Sequence, residues 1–132
     1  MAINKKQEYT KDHAKSGIEA KLPPIYIFPS YYKKYDVEII TEEFTSICPK
    51  TGLPDFGKIK ITYRPNKSCI ELKSFKMYLL GYRNLGIFNE NVINRILEDI
   101  VSACKPTYIE VIGEFTSRGG LKISVIAKYP RK

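Results

Sequence analysis

The 132-residue chain is predicted to be an α+β domain, a four-stranded antiparallel sheet with two helices on one face, and three observations carry that expectation. Apolar and polar residues alternate in segments on both sides of the middle of the chain, as strands require. Between them, from Phe75 to Cys104, apolar residues recur at helical spacing. Proline, glycine and asparagine punctuate the joins. The length suits one core and leaves no room for a separate dinucleotide-binding domain.

Met1 to Lys21 is polar, without a sustained apolar period, and is expected as a mobile arm ahead of a single domain over residues 22–132. It holds His13, the only histidine. Leu22 to Pro29 is apolar but broken by Pro23, Pro24 and Pro29, which predicts an extended strap. Tyr26, Phe28, Tyr31, Tyr32 and Tyr35 add aromatic surface that suits packing against a sheet or stacking on bases. In Tyr35 to Phe44, Val37, Ile39 and Thr41 alternate with Asp36, Glu38 and Ile40, a strand pattern. Lys58 to Arg64 alternates Ile59, Ile61 and Tyr63 with Lys58, Lys60 and Thr62; Pro65-Asn66 supplies a turn and Ser68 to Leu72 reads as the returning strand of a hairpin. Ser74 can cap a first helix carrying Phe75, Tyr78, Leu79 and Tyr82 on one face, ending by Asn84 and Gly86. A second starts near Asn89, buries Val92, Ile93, Ile96, Leu97, Ile100, Val101 and Cys104, and stops before Pro106. Thr107 to Phe115 and Leu121 to Tyr129 are strands joined by Ser117-Arg118-Gly119-Gly120. The order β, β, α, α, β, β leaves one sheet face and two edges uncovered, and edges rich in Ile and Val favour a symmetric oligomer.

The formal charge of +8 favours anionic partners such as nucleic acid, acidic lipid or a phosphorylated small molecule. Much of it lies in the terminal segments, where solubility is the alternative reading. No apolar run approaches the ~20 residues of a membrane helix, and the charged first twenty residues do not read as a secretory signal, so a cytoplasmic location is expected. Cys48, Cys69 and Cys104 are an odd set, expected as reduced thiols.

Chemistry concentrates in Ser46 to Gly57, where Pro49 and Pro54 stiffen the loop and Gly52 and Gly57 free it to fold back. Folded back, Cys48 and Asp55 can face one substrate, a thiol to attack an electrophilic carbon and a carboxyl group to manage the proton. Lys50 and Lys58 favour the Cys48 thiolate, whereas Cys69 and Cys104 read as buried hydrophobes. With no Cys-x-x-Cys and its only histidine in the arm, the chain is not expected to bind a metal. In Glu71-Leu72-Lys73-Ser74-Phe75-Lys76-Met77-Tyr78 a strand runs into a helix, so Lys73, Lys76 and the Ser74 hydroxyl make either a phosphate cradle or a capped helix start with solvated lysines. Ser117-Arg118-Gly119-Gly120 reads first as a tight hairpin turn and second as an anion-binding turn. No Gly-x-Gly-x-x-Gly is present.

Glu71-Leu72-Lys73-Ser74-Phe75-Lys76-Met77-Tyr78, with Cys48-Pro49-x-Thr51-Gly52-x-Pro54-Asp55 and Arg118-Gly119-Gly120, closely resembles the NADPH-dependent 7-cyano-7-deazaguanine reductases, nitrile reductases of queuosine biosynthesis, over roughly Phe44 to Tyr129. The resemblance implies the short, single-module form of the tunnelling fold, in which sheets of several subunits join into an oligomeric barrel, a pentamer or pair of pentamers, with active sites between subunits. It implies Cys48 as the nucleophile that forms a thioimide with the nitrile, Asp55 as proton donor, and two NADPH as hydride source. It places Ile70, Glu71 and Leu72 along the deazaguanine, Glu90 on its N–H groups with Asn89 beside it, and NADPH against Lys73, Ser74, Lys76, Arg118 and Gly119. The family usually has Phe-His-Glu where this chain has Phe88-Asn89-Glu90, so position 89 can hydrogen-bond a substrate but cannot carry a proton in and out. Two other readings compete: attack of ammonia on the thioimide, as in amidine-forming enzymes acting on transfer RNA, which lack Glu-Leu-Lys-Ser, and a non-catalytic basic module binding RNA. The reductase reading expects no direct nucleic-acid binding and no membrane partner.

Overall fold

The computed structural model describes residues 9–131; the first eight residues of the expected arm lie outside the described residues. In chain order the elements are α1 (Lys11–Lys15), β1 (Ile27–Pro29), β2 (Val37–Ile47), β3 (Pro54–Arg64), β4 (Ser68–Ile70), α2 (Leu72–Leu80), α3 (Asn89–Cys104), β5 (Tyr108–Phe115) and β6 (Ser124–Tyr129). The main sheet has four antiparallel strands in the order β2-β3-β5-β6, with β2 and β6 at its edges, so the expected α+β layer is present.

Alternation decides which side the helices cover. Ile59, Ile61 and Tyr63 of β3 and Ile109 and Val111 of β5 are buried, and they pack with Phe75 and Tyr78 of α2 and Ile93, Ile96, Leu97 and Ile100 of α3. Burying each such side chain contributes about 1.5–3 kcal/mol, so the α3 face is the largest single source of cohesion. Helix α3 lies close against the sheet at Gly113, where an added Cβ would stand 2.5 Å from Ile93 Cδ1. On the other face charges pair across strands: Lys60 with Glu38 at 3.4 Å, Lys58 with Glu42 at 3.6 Å and Lys128 with Glu110 at 3.5 Å. These exposed pairs set register more than they add stability.

The hairpin expected between Lys58–Arg64 and Ser68–Leu72 does not form. Strand β3 pairs instead with β2 across the Cys48 loop, and β4 turns away to pair with β1 of the proline-rich strap, Ile27 opposite Ile70. The Tyr63 hydroxyl accepts from the Ile70 amide at 2.9 Å, fixing that departure. Strand β2 is longer than its sequence pattern, running to Ile47 with an irregular register between Thr41 and Phe44.

Residues 9–21 lie along α3. Asn91 donates to Ala14 O at 2.7 Å, Arg95 to Gly17 O at 2.8 Å, and Ser16 to Gly86 O at 2.6 Å. Arg95 also holds Asp99, which accepts from the Tyr78 hydroxyl, and Tyr78 shares a 2.8 Å hydrogen bond with Tyr82. That chain of bonds joins α2, α3 and residue 17 through otherwise buried polar groups.

Candidate active site

Strands β2 and β3 meet at a six-residue turn, Cys48 to Leu53, closed by Cys48 N–H donating to Leu53 O at 2.9 Å and Gly52 N–H to Cys48 O at 3.0 Å. Gly52 has a φ of +71, a value that favours glycine, so the turn depends on it. Behind the turn Ser46 stands opposite Asp55, and Phe44 opposite Gly57. Side chains of an antiparallel pair share a face, which puts Phe44, Ser46 and Asp55 on the helix-covered side of the sheet.

The thiol and the acid are therefore held at the same sheet end. Partial burial pushes the Cys48 thiol up and the charge of Asp55 acts the same way; hydrogen bonds from the Thr51 hydroxyl and the Thr51 and Lys50 backbone outweigh both, so the thiol is more acidic than usual. Asp55 is held from the opposite side by Arg118, whose Nη2 lies 3.3 Å from Oδ1 and also donates to Pro54 O. The Arg118 turn thus closes on the acid, with Thr116 N–H donating to Phe56 O at 2.9 Å to fasten it. Gly119 has a φ of +57 and nothing within 4 Å of its would-be Cβ.

Asn89 and Glu90 come to the same end. The segment before α3 adds beside β2, with Ile47 N–H donating to Leu85 O at 3.0 Å and Ile87 N–H to Ile47 O at 2.9 Å, so α3 starts two residues beyond that pairing. Glu90 is exposed, and Asn89 Oδ1 is buried without a hydrogen-bond partner among the described residues. Tyr9 meets Phe88 edge-on with centroids 5.5 Å apart, and Lys50 Nζ lies 4.5 Å from the Tyr9 ring centroid, tying residue 9 to both the turn and the start of α3.

The remaining candidates lie elsewhere. Ile70 is bonded to Tyr63, eight residues along β3 from Asp55, about 25 Å at ~3.3 Å per residue. Glu71 caps α2, accepting from Lys73 N–H and Ser74 N–H at 2.8 Å each, and those bonds hold its carboxyl below the usual range. The cap expected at Ser74 is thus supplied by Glu71, because a carboxylate one residue ahead of the helix reaches the free amides that Ser74, already inside it, cannot. Ser74 is buried, donates to Glu71 O and accepts from Tyr26 N–H, both at 2.9 Å. Leu72, Lys73 and Lys76 are exposed. Leu72 and Lys76 line a groove of about 630 Å³ between edge strand β2 and α2, with Ile39, Phe56, Leu79 and Leu80. One chain therefore gathers Cys48, Asp55, Asn89, Glu90, Arg118 and Gly119, and holds Ile70, Glu71, Lys73 and Ser74 apart from them. Sequence reasoning missed Ser46 and the Arg118–Asp55 pair; a serine at a buried alternate position was the signal for the first, and only the fold reveals the second.

Among the described residues no group of three His, Cys, Asp or Glu side chains could hold a metal, and no helix is long and apolar enough to cross a membrane. A family model described as QueF-like protein matches residues 54–132, more than half of the chain. The NADPH-dependent 7-cyano-7-deazaguanine reductase of Elusimicrobium minutum is 58% identical over 125 residues, covering 94% of this chain and 95% of the relative. The protein of the same name from Chlorobaculum tepidum is 53% identical over 109 residues, 81% of this chain and 93% of the relative. A solved structure, an archaeosine synthase QueF-Like in the apo form, matches with a TM-score of 0.68 at 24% identity over 74% of this chain and 95% of that chain, a likeness of fold.

Proposed function

The chain belongs to the QueF-like protein family, and from that premise we propose that it is an NADPH-dependent 7-cyano-7-deazaguanine reductase, converting the nitrile to the primary amine of 7-aminomethyl-7-deazaguanine for queuosine biosynthesis. The observation that carries the chemistry is the β2–β3 turn, which sets an acidified thiol and a carboxyl group at one sheet end. Cys48 Sγ bonds to the nitrile carbon, one C–N π pair moves to nitrogen, and Asp55 protonates it, leaving a thioimide on Cys48. NADPH, when bound, supplies the hydride, two equivalents for each nitrile. Once the thioimide carbon has gained its first hydride, the C–S bond must break as the nitrogen lone pair re-forms C=N, releasing the imine and the Cys48 thiolate, and a thiol of lowered pKa is the better leaving group. Asn89 and Glu90 hold the deazaguanine, the Glu90 carboxylate accepting from its adjacent N–H groups.

The residues fit a dinucleotide phosphate through side chains. Lys73 and Lys76 are exposed cations, Arg118 is half exposed, and Gly119 leaves open space for a close approach. The α2 N-terminus is taken by Glu71, so Ser74 serves the site by holding the Glu71 turn and the Tyr26 strap in place.

Asp55 and Tyr63, to whose hydroxyl Ile70 is bonded, stand about 25 Å apart along β3, too far for one base to lie against both the Cys48–Asp55 pair and Ile70 of the same chain. Each site is therefore built from two subunits, Cys48, Asp55, Asn89 and Glu90 from one and Ile70, Glu71 and Leu72 from its neighbour. Edge strands β2 and β6 and the apolar groove beside β2 support joining into a tunnelling-fold barrel of five subunits or a pair of such rings. Incubation with nitrile base and NADPH should consume two NADPH per nitrile, with a transient protein adduct seen by intact mass. Cys48→Ala should abolish both adduct and turnover; turnover that survives this change would end the covalent mechanism.

A further inference from the structure

Only two buried side-chain polar atoms among the described residues have no hydrogen-bond partner, Ser46 Oγ and Asn89 Oδ1, and both lie at the sheet end that holds Cys48. Ser46 is fully buried, beside Ile47, whose backbone is held on both sides by the segment leading into α3. Its register partner is Asp55, and cross-strand Cβ atoms stand about 5.5 Å apart, close enough for a serine and an aspartate to meet by side-chain rotation alone. Arg118 engages Oδ1 of Asp55 at 3.3 Å. Burying a hydroxyl without a partner is unfavourable, so its presence calls for a use.

We propose that Ser46 is a positioning residue for the acid. With the nitrile bound, its hydroxyl donates to Asp55 Oδ2 while Arg118 holds Oδ1, fixing the carboxyl plane so that the proton is delivered on the Cys48 side. The two donors act on opposite oxygens, Arg118 from the solvent side and Ser46 from the core side. Cys48 is the other titrating group that faces this carboxyl, and its adduct is the product whose nitrogen receives the proton. The inference rests on the reductase reading.

The test compares wild type with Ser46→Ala in two measurements, the melting temperature of the free protein and the rate of adduct formation on Cys48 with nitrile base alone, by intact mass across pH. Removing an unpartnered hydroxyl should leave the melting temperature unchanged or raise it, while the adduct forms about tenfold more slowly. A rate that matches wild type at every pH overturns the proposal, as does a lower melting temperature with the rate intact, which would make the hydroxyl structural. No adduct on the wild-type protein would instead sink the reductase reading and this inference with it, so the two failures are told apart.

Discussion

The two ends of the sheet treat their polar groups in opposite ways. At the Glu71 end, the carboxylate serves the first amides of α2, Ser74 both donates and accepts, and Tyr63 takes the Ile70 amide. At the Cys48 end, Ser46 and Asn89 keep buried oxygens without partners among the described residues, and a thiol sits where hydrogen bonds make it more acidic than usual. Hydrogen bonding completed within the chain fixes the shape of the Glu71 end, whatever a neighbouring subunit brings to it; groups left open at the Cys48 end remain available to a bound molecule.

Changes at the two ends should therefore fail differently. The largest effect beyond loss of the nucleophile is expected from Asp55→Asn, which keeps the shape and removes the proton: turnover should fall by about 10²–10³, with the melting temperature near wild type. Loss of fold instead would mean that the Arg118 pair is structural. Alkylation separates the thiols next. Burial pushes Cys104 up to about 11, whereas Cys48 lies below the ordinary value, so iodoacetamide near neutral pH should label Cys48 at least about 100-fold faster, read by peptide mass. The smallest effect is expected from Glu71→Gln, which weakens the α2 cap and lowers the melting temperature. The Glu71 carboxyl titrates lower folded than unfolded, so its contribution is complete above the unfolded value of about 4.3 and is lost as pH falls through the folded one. The melting-temperature gap between wild type and Glu71→Gln should close on acidification below about pH 4.

Much of this contrast was legible in the residues. The limits of α3, Asn89 and Cys104, follow from one apolar face ended by Lys105 in the left-handed region ahead of Pro106. Strands β3 and β5 show their alternation, and the Cys48-to-Asp55 spacing shows a fold-back. The partner of β4 was not legible, because Pro65-Asn66 is a local turn signal and the pairing with Ile27–Pro29 spans some forty residues. The cap of α2 lies at Glu71 rather than Ser74: serine is the commoner cap, but the carboxylate reaches two amides. The Arg118–Asp55 pair unites residues far apart in sequence, through strand order alone.

Residues 9–17 carry a practical consequence. Tyr9 touches Phe88 and Lys50, and bonds from Ser16 to Gly86 and from Arg95 to Gly17 anchor the segment after it, whereas β6 ends at Tyr129 opposite Ile109, at the far end of the sheet. A bulky label carried at Tyr9 would stand beside the Cys48 turn and one carried at Tyr129 at the opposite end of the sheet, so the two should affect the measured rate differently.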